Sequence, residues 1–356
     1  MILSAFLSIV AAVLIVVIVI PFLRYPAHLA GLVDRPGGRK DHDGEVPLTG
    51  GVAILGAFVV VAMWSWGAPG VDPHLVAALA VLLLMGTLDD RVHLAAPIRL
   101  GVQVLVAIYV AGMAGITISH LGTFPATGKI ELGWLEVPFT VLCLVGLINA
   151  INMADGIDGL AGGMVAVMLA GLIVLAGLLG LWPWTLPVAV LLAAIVGFLV
   201  WNFPGFGARP AQVFLGDAGS MMLGLALGWF AIELAMVQRA GVPPIVFAWI
   251  LAVPVFETVV VMIRRVLHGF SPLHPDREHL HHHLVRIGVS KRLVTILIVA
   301  MSLVGAAIGI VGWVLAIPQW LLFALFLAAG FGHLAAMEFW LSRLPGVVAP
   351  EEVPEC

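Results

Sequence analysis

Charge is scarce in this sequence: Asp, Glu, Lys and Arg together make up 10% of its residues, against roughly a quarter in an ordinary soluble domain. A chain of 356 residues folded in water would need far more polar surface than that. Soluble, disordered and fibrous classes are therefore excluded. Cysteine is equally sparse. Cys143, inside an apolar run, and Cys356, at the last position, supply neither a disulfide framework nor a cysteine metal site. The formal charge of −4 is too small to point to nucleic acid as a partner. No internal repeat, low-complexity tract or separate soluble domain is evident. What is present is apolar: 62% hydrophobic residues and a mean hydropathy of +1.16. That is the composition of an all-α integral membrane protein.

A helix that spans a bilayer needs about 20 mostly apolar residues. Eleven such segments are predicted, at Ile2–Leu23, Val46–Trp66, His74–Leu88, Ile98–Ile116, Leu135–Ile151, Ala161–Leu179, Trp184–Trp201, Val213–Leu234, Ile245–Val266, Leu293–Ala316 and Trp320–Leu341. The ninth contains Pro254, which a bundle accommodates if neighbours satisfy the freed carbonyl. Met1–Leu23 has no basic residue ahead of its apolar run and is followed by Arg24, so it reads as a first span rather than a signal peptide. With the N-terminus outside and the C-terminus cytoplasmic, only Lys129 and Arg239 of the 16 Lys and Arg face outward, the asymmetry that the positive-inside rule expects. Pro125 and Thr127-Gly128 predict a small external hairpin near 117–134. Residues 1–346 read as a single multi-span domain and 347–356 as a polar tail.

The polar residues gather at the inner ends of the spans. Asp89 and Asp90 end the third span, where adjacent carboxylates oppose both the helix dipole and each other. A cation would relieve both, although a solvated turn beside Arg91 is the plainer reading. Asn149, Asn152, Asp155 and Asp158 are each three residues apart, which would stack them on one helix face, while Gly156 and Gly159 let the backbone turn. Asp217, in Gly216-Asp-Ala-Gly-Ser220, is either a helix cap or an acid placed among small residues where a ligand could come close. Glu257 is an intramembrane acid and a functional candidate by default, with a structural hydrogen bond as an equal alternative. The last inner loop carries Arg277, His279, His281, His282 and His283. On a helix, His279, His282 and His283 would share a face. Their company with Arg264 and Arg265 suits phosphate oxygens better than zinc or a plain loop.

Acids repel phosphates, so an acid-rich phosphate site implies a divalent cation. Magnesium fits, since it takes oxygen ligands and commonly one or two carboxylates plus substrate phosphates; manganese is a substitute. No Walker-type glycine loop is present, so simple ATP hydrolysis is not suggested. The residues therefore point to metal-assisted phosphoryl transfer with one lipid-borne substrate. The rival class, a transporter of an anionic solute, would place its polar groups near the midplane within internal repeats.

In order along the chain, Asp34-Arg-Pro with Pro47-Leu-Thr-Gly-Gly51, Leu88-Asp-Asp-Arg91, the Asn149–Gly159 run, Gly216-Asp-Ala-Gly-Ser220 and Ser271-Pro-Leu-His-Pro-Asp-Arg-Glu-His-Leu-His-His-His283 resemble the polyprenyl-phosphate N-acetylhexosamine-1-phosphate transferases. The last motif is most similar to the bacterial undecaprenyl-phosphate N-acetylglucosamine-1-phosphate transferase branch. The resemblance implies eleven helices with the N-terminus out, in the bacterial inner membrane, and an active site on the cytoplasmic face. It implies that a UDP-N-acetylhexosamine and a polyprenyl phosphate yield a lipid-diphospho-sugar and UMP, which starts cell-envelope glycan synthesis; a homodimer is compatible with it. By the same resemblance Asp217 and Asn152 would ligate magnesium, and Asp89 and Asp90 would handle the lipid phosphate. Asp155 and Asp158 would line the nucleotide–metal site, with Asn149 in the substrate site, and Arg277 with the four histidines would hold the diphosphate. One departure stands out: where the family often has Asp in a Pro-x-x-Asp pattern, this chain has Glu257, one methylene longer.

Overall fold

A computed structural model describes residues 2–35, 44–64, 71–203, 210–236, 241–271 and 279–341. The helices are α1 (Ile2–Ala30), α2 (Gly50–Trp64), α3 (Pro73–Val92), α4 (Ala96–Gly112), α5 (Glu136–Ala154), α6 (Leu160–Leu178), α7 (Trp182–Asn202) and α8 (Gly216–Met236). They continue with α9 (Pro244–Ile250), α10 (Ala252–Leu267), α11 (Leu280–Arg286), α12 (Lys291–Val314) and α13 (Gln319–Leu341). Each of the eleven predicted spans falls on a helix or, for the ninth, on the pair α9 and α10. Among the described residues, seven helices are long and apolar enough to cross a membrane, or eight if the bent pair counts as one, while α2 and α4 are apolar but shorter.

The ninth span is not one straight helix. It turns by 81° between α9 and α10, at Leu251. Pro254 has no N–H for the Ile250 carbonyl and its ring crowds that carbonyl, so the helix breaks just before it. Pro138, by contrast, sits in the first turn of α5, where its missing N–H costs nothing.

The most enclosed helix is α8, with 83% of its apolar window buried against 11% for α13. Small residues allow this. Gly51 of α2 lies against Gly219, where an added Cβ would stand 2.5 Å from Gly219 Cα. Gly86 of α3 lies against Ala218, and an added Cβ there would stand 2.5 Å from the Ala218 nitrogen. Trp229, Phe58, Phe198, Leu79, Leu82 and Ile148 are fully buried around this axis. Large apolar side chains such as Leu3, Trp64, Leu105, Leu142 and Phe331 are exposed at the periphery, as expected where lipid is the solvent.

Two short antiparallel ladders complete the fold. β1 (Val33–Asp34) pairs with β2 (Val46–Pro47). β3 (His120–Phe124) pairs with β4 (Gly128–Glu131) through Phe124 and Gly128, so the hairpin forms with Pro125, Ala126 and Thr127 at its turn. It packs on α13, where Phe124 meets Phe323 edge-on at 5.8 Å.

Candidate active site

The site is assembled at the start of α8. The chain reaches it as an extended segment braced by β2: Phe214 N–H donates to the Pro47 carbonyl at 2.9 Å, and Gly50 N–H donates to the Phe214 carbonyl at 3.0 Å. The Pro47-Leu-Thr-Gly-Gly51 motif is thus a cradle for the helix start. Gly216 then turns at φ +72°, and a Cβ there would stand 2.6 Å from Asp90 Oδ2. Asp90 uses both oxygens on the helix end, accepting from Asp217 N–H at 2.9 Å and Ala218 N–H at 3.3 Å. These are the N–H groups a helix start leaves without partners, and a carboxylate there also suits the dipole.

Asp89 points elsewhere and is 2% exposed. Its Oδ1 accepts from Leu94 N–H at 2.7 Å and its Oδ2 from Arg99 Nη1 at 2.8 Å. Arg99, at the start of α4, also lies 3.7 Å from Asp217 Oδ2, so one guanidinium nitrogen stands between the Asp89 and Asp217 carboxylates. The adjacent aspartates therefore take up different partners: Asp90 holds a helix terminus, and the buried Asp89 holds the partly exposed Arg99 guanidinium.

The Asn149–Gly159 run faces this point from α5. Asn152 Nδ2 donates to Asp217 Oδ1 at 2.6 Å and to Ser220 Oγ at 2.9 Å. Asn149 Nδ2 donates to Gln103 Oε1 of α4 at 2.6 Å, so it braces two helices rather than meeting Asp217. The expectation that all four polar residues share one helical face holds only in part. The helix ends at Ala154 and Asp155 caps it with ψ 43°, so Asp158 lies beyond it in the turn. There Asp158 Oδ2 accepts from Ala211 N–H at 3.4 Å. Gly159 N–H donates to Asn202 Oδ1, and Asn202 Nδ2 donates to the Val213 carbonyl, which ties the turn to the segment leading into α8. Burial raises the Asp155 pKa to about 8, helped by the charges of Asp217, Asp90 and Asp158. A carboxyl in that state is largely protonated at neutral pH and regains its charge when a cation arrives.

The histidines come to the same place from the other side. An added Cβ on Gly156 would stand 2.5 Å from His281 Nε2, so the ring lies directly on the acid run. The predicted face of His279, His282 and His283 is not the one buried. His279, His281 and His283 are buried instead, because His279 precedes α11 in extended conformation with ψ 152° and does not share the helical register. The His281 ring stacks on His279 at 5.7 Å and lies 4.1 Å from His282. Burial and then the neighbouring imidazoles push its pKa down to about 2, so His281 is neutral, and among the described residues its buried Nε2 has no hydrogen-bond partner. Arg277 lies outside the described residues.

Among the described residues, no group of three or more His, Cys, Asp or Glu is placed to hold a metal ion alone. Magnesium does not require one, since it keeps waters and shares its shell with substrate phosphates. Asp217 and Asn152 fit that demand by their chemistry. Both offer oxygen, and the Asn152 amide nitrogen is already taken by Asp217 and Ser220, which leaves its carbonyl oxygen as the remaining donor atom.

Arg99, Gln103 and Asn202 join the site without being singled out by sequence reasoning. For Gln103 and Asn202 a signal was available, since a lone amide inside an apolar span is costly unless it is bonded.

The model of "Glycosyl transferase family 4" matches residues 73–235, from the start of α3 to the end of α8. Undecaprenyl-phosphate alpha-N-acetylglucosaminyl 1-phosphate transferase of Yersinia pestis is 34% identical over 301 residues, 84% of this chain and 82% of that protein. The protein of the same name from Escherichia coli K12 is 33% identical over 312 residues, 87% of this chain and 84% of that one. A probable undecaprenyl-phosphate N-acetylglucosaminyl 1-phosphate transferase of Bacillus subtilis is 35% identical over 295 residues, covering 81% and 79%.

Proposed function

Because the chain belongs to glycosyl transferase family 4, we propose that it transfers N-acetylglucosamine-1-phosphate from a UDP-sugar to undecaprenyl phosphate and releases UMP. The observation that carries this reading is the meeting of Asp217, Asn152, Asp89 and Arg99 at one helix start, within a chain over 80% of which aligns with relatives of that name. A lipid phosphate has its second pKa near 6, so its oxygen is already mostly ionised and needs no strong base. That oxygen attacks the sugar-bearing phosphorus, and the bond to UMP breaks. The residues mainly position the reactants and neutralise charge.

Asp217 and Asn152 would hold magnesium, which when bound offsets the charge of the diphosphate and of the acids around it. Arg99, fixed by Asp89, offers a guanidinium for the lipid phosphate. Asp90 keeps the start of α8, and with it Asp217, in place. Asp155 and Asp158 line the nucleotide side. His281, being neutral, serves as a hydrogen-bond donor to phosphate rather than as a cation, and Arg277 supplies charge. None of the relatives named above is a transporter, and the polar groups sit at helix ends rather than in repeats.

With purified protein, undecaprenyl phosphate and a panel of UDP-N-acetylhexosamines, UMP and a lipid-diphospho-sugar are expected, fastest with UDP-N-acetylglucosamine. Failure to release UMP with any member would overturn the assignment.

The topology belongs to the same reading: eleven crossings with the N-terminus out and the C-terminus cytoplasmic, in the bacterial inner membrane. The cation asymmetry supports it. In a background lacking Cys143 and Cys356, an impermeant thiol reagent applied to intact cells should label Lys129→Cys but neither Asp158→Cys nor His282→Cys. The reverse pattern would place the site on the outer face and remove the cytosolic donor.

A further inference from the structure

Glu257 lies on α10 below the elbow and reaches both α13 and the start of α11. Its Oε1 lies 2.7 Å from His333 Nε2 on α13. Its Oε2 accepts from Leu280 N–H, the first residue of α11, at 2.9 Å, and lies 3.9 Å from His279 Nδ1. The first N–H groups of a helix have no partner within it, so this carboxylate fixes where α11 begins. One residue further on, His281 lies on Gly156 of the acid run. A line of contact therefore runs from α13 through Glu257 and α11 to the turn that carries Asp155 and Asp158.

We propose that Glu257 and His333 are positioning residues that hold the histidine segment against the acid cluster and thereby set the affinity for the UDP-sugar. The proposal deepens the reading above, since it takes from it the donor-binding role of that segment. Glutamate suits the task because its carboxylate spans from α10 to both α13 and α11. An aspartate on the same backbone would be one methylene shorter and would reach less far toward α13 and α11. His333 gives the longer side chain its second anchor. The consequence is that α13, the least buried of the membrane-length helices, takes part in donor recognition.

The test compares the parent with His333→Leu, His333→Gln, Glu257→Gln and the Glu257→Gln/His333→Leu pair, in full-length protein in detergent. Loss of the anchor in His333→Leu should raise KM for the UDP-sugar about tenfold while kcat and KM for the lipid change less than threefold. His333→Gln keeps a polar group that can donate to Glu257 and should restore most of the affinity. The double variant should be no worse than Glu257→Gln alone, because contacting residues do not add. Hydrogen exchange of residues 279–287, read without any substrate, should accelerate in His333→Leu. A parental KM together with parental exchange in His333→Leu would overturn the proposal. Accelerated exchange in His333→Leu together with a parent that never releases UMP would instead sink the transferase reading and leave the anchor standing.

Discussion

Asp217→Asn is expected to lower turnover at least about a hundredfold, in line with losses when metal-site contacts are removed. The change keeps the shape of the side chain and removes its charge. The helix start should survive it, because Asp90 and not Asp217 caps the first N–H groups of α8. The hydrogen bond from Asn152 to Oδ1 can also persist if the new amide presents its oxygen. What is lost is the anionic oxygen offered to magnesium, so excess magnesium should recover little of the rate. Asp89→Asn provides the contrast. It loosens the Arg99 guanidinium from its buried partner, so transfer should slow, while the dependence on magnesium stays close to parental. The measurement is transfer rate against magnesium concentration for all three proteins. Near-parental rate and magnesium affinity in Asp217→Asn would move the anchor to another acid.

Gly86→Ala should be nearly as damaging without touching a single polar atom. The added methyl would stand 2.5 Å from the Ala218 nitrogen and 2.7 Å from the Asp217 carbonyl carbon. Those are backbone atoms, so no side chain can turn aside. Helices α3 and α8 would have to part, which carries Asp90 away from the N–H groups it caps. Overpacking of this kind costs roughly 1–3 kcal/mol, and transfer should fall more than about tenfold as the Asp89–Asp217 spacing opens. Gly146→Ala in α5 is the control. Among the described residues nothing lies within 4 Å of its added carbon, so it should be neutral or stabilising by up to about 1 kcal/mol. Thermal melting in detergent together with activity separates the two. A parental melting temperature for Gly86→Ala would mean that the helices are not held in contact there.

The elements that could be read from sequence were those encoded locally. Each span is a continuous apolar run, and each acid or amide at a span end stands out against it. The same contrast marks Asp217, Asn152 and the Asp89-Asp90 pair in the sequence itself. What the pattern could not convey was which partner each polar atom chooses. The division of labour between Asp89 and Asp90 depends on Arg99 and on the start of α8, ten and more than a hundred residues away. The histidine face is not legible in this way, because periodicity assumes that the helix includes His279, whereas the helix begins one residue later. His333 attracted no attention as a single polar residue in α13. Its meaning comes entirely from Glu257, with which it shares no local motif.

The elbow between α9 and α10 also bears on the bilayer itself. At about 1.5 Å of rise per residue, helices of 7 and 16 residues laid end to end would be longer than the hydrocarbon is thick. Folded at 81°, their two ends are only about 28 Å apart on that rise, slightly less than the roughly 30 Å of a typical hydrocarbon core. As a single crossing, the pair has no length to spare, and both halves must run obliquely. Lipids beside it would have to shorten or tilt to match, at a small cost for each ångström of mismatch. Crossed as one span, the pair would draw the membrane thin beside α10, whose last turn carries Arg265. There the phosphate of a long-chain lipid would need to sink least to reach the level of the site.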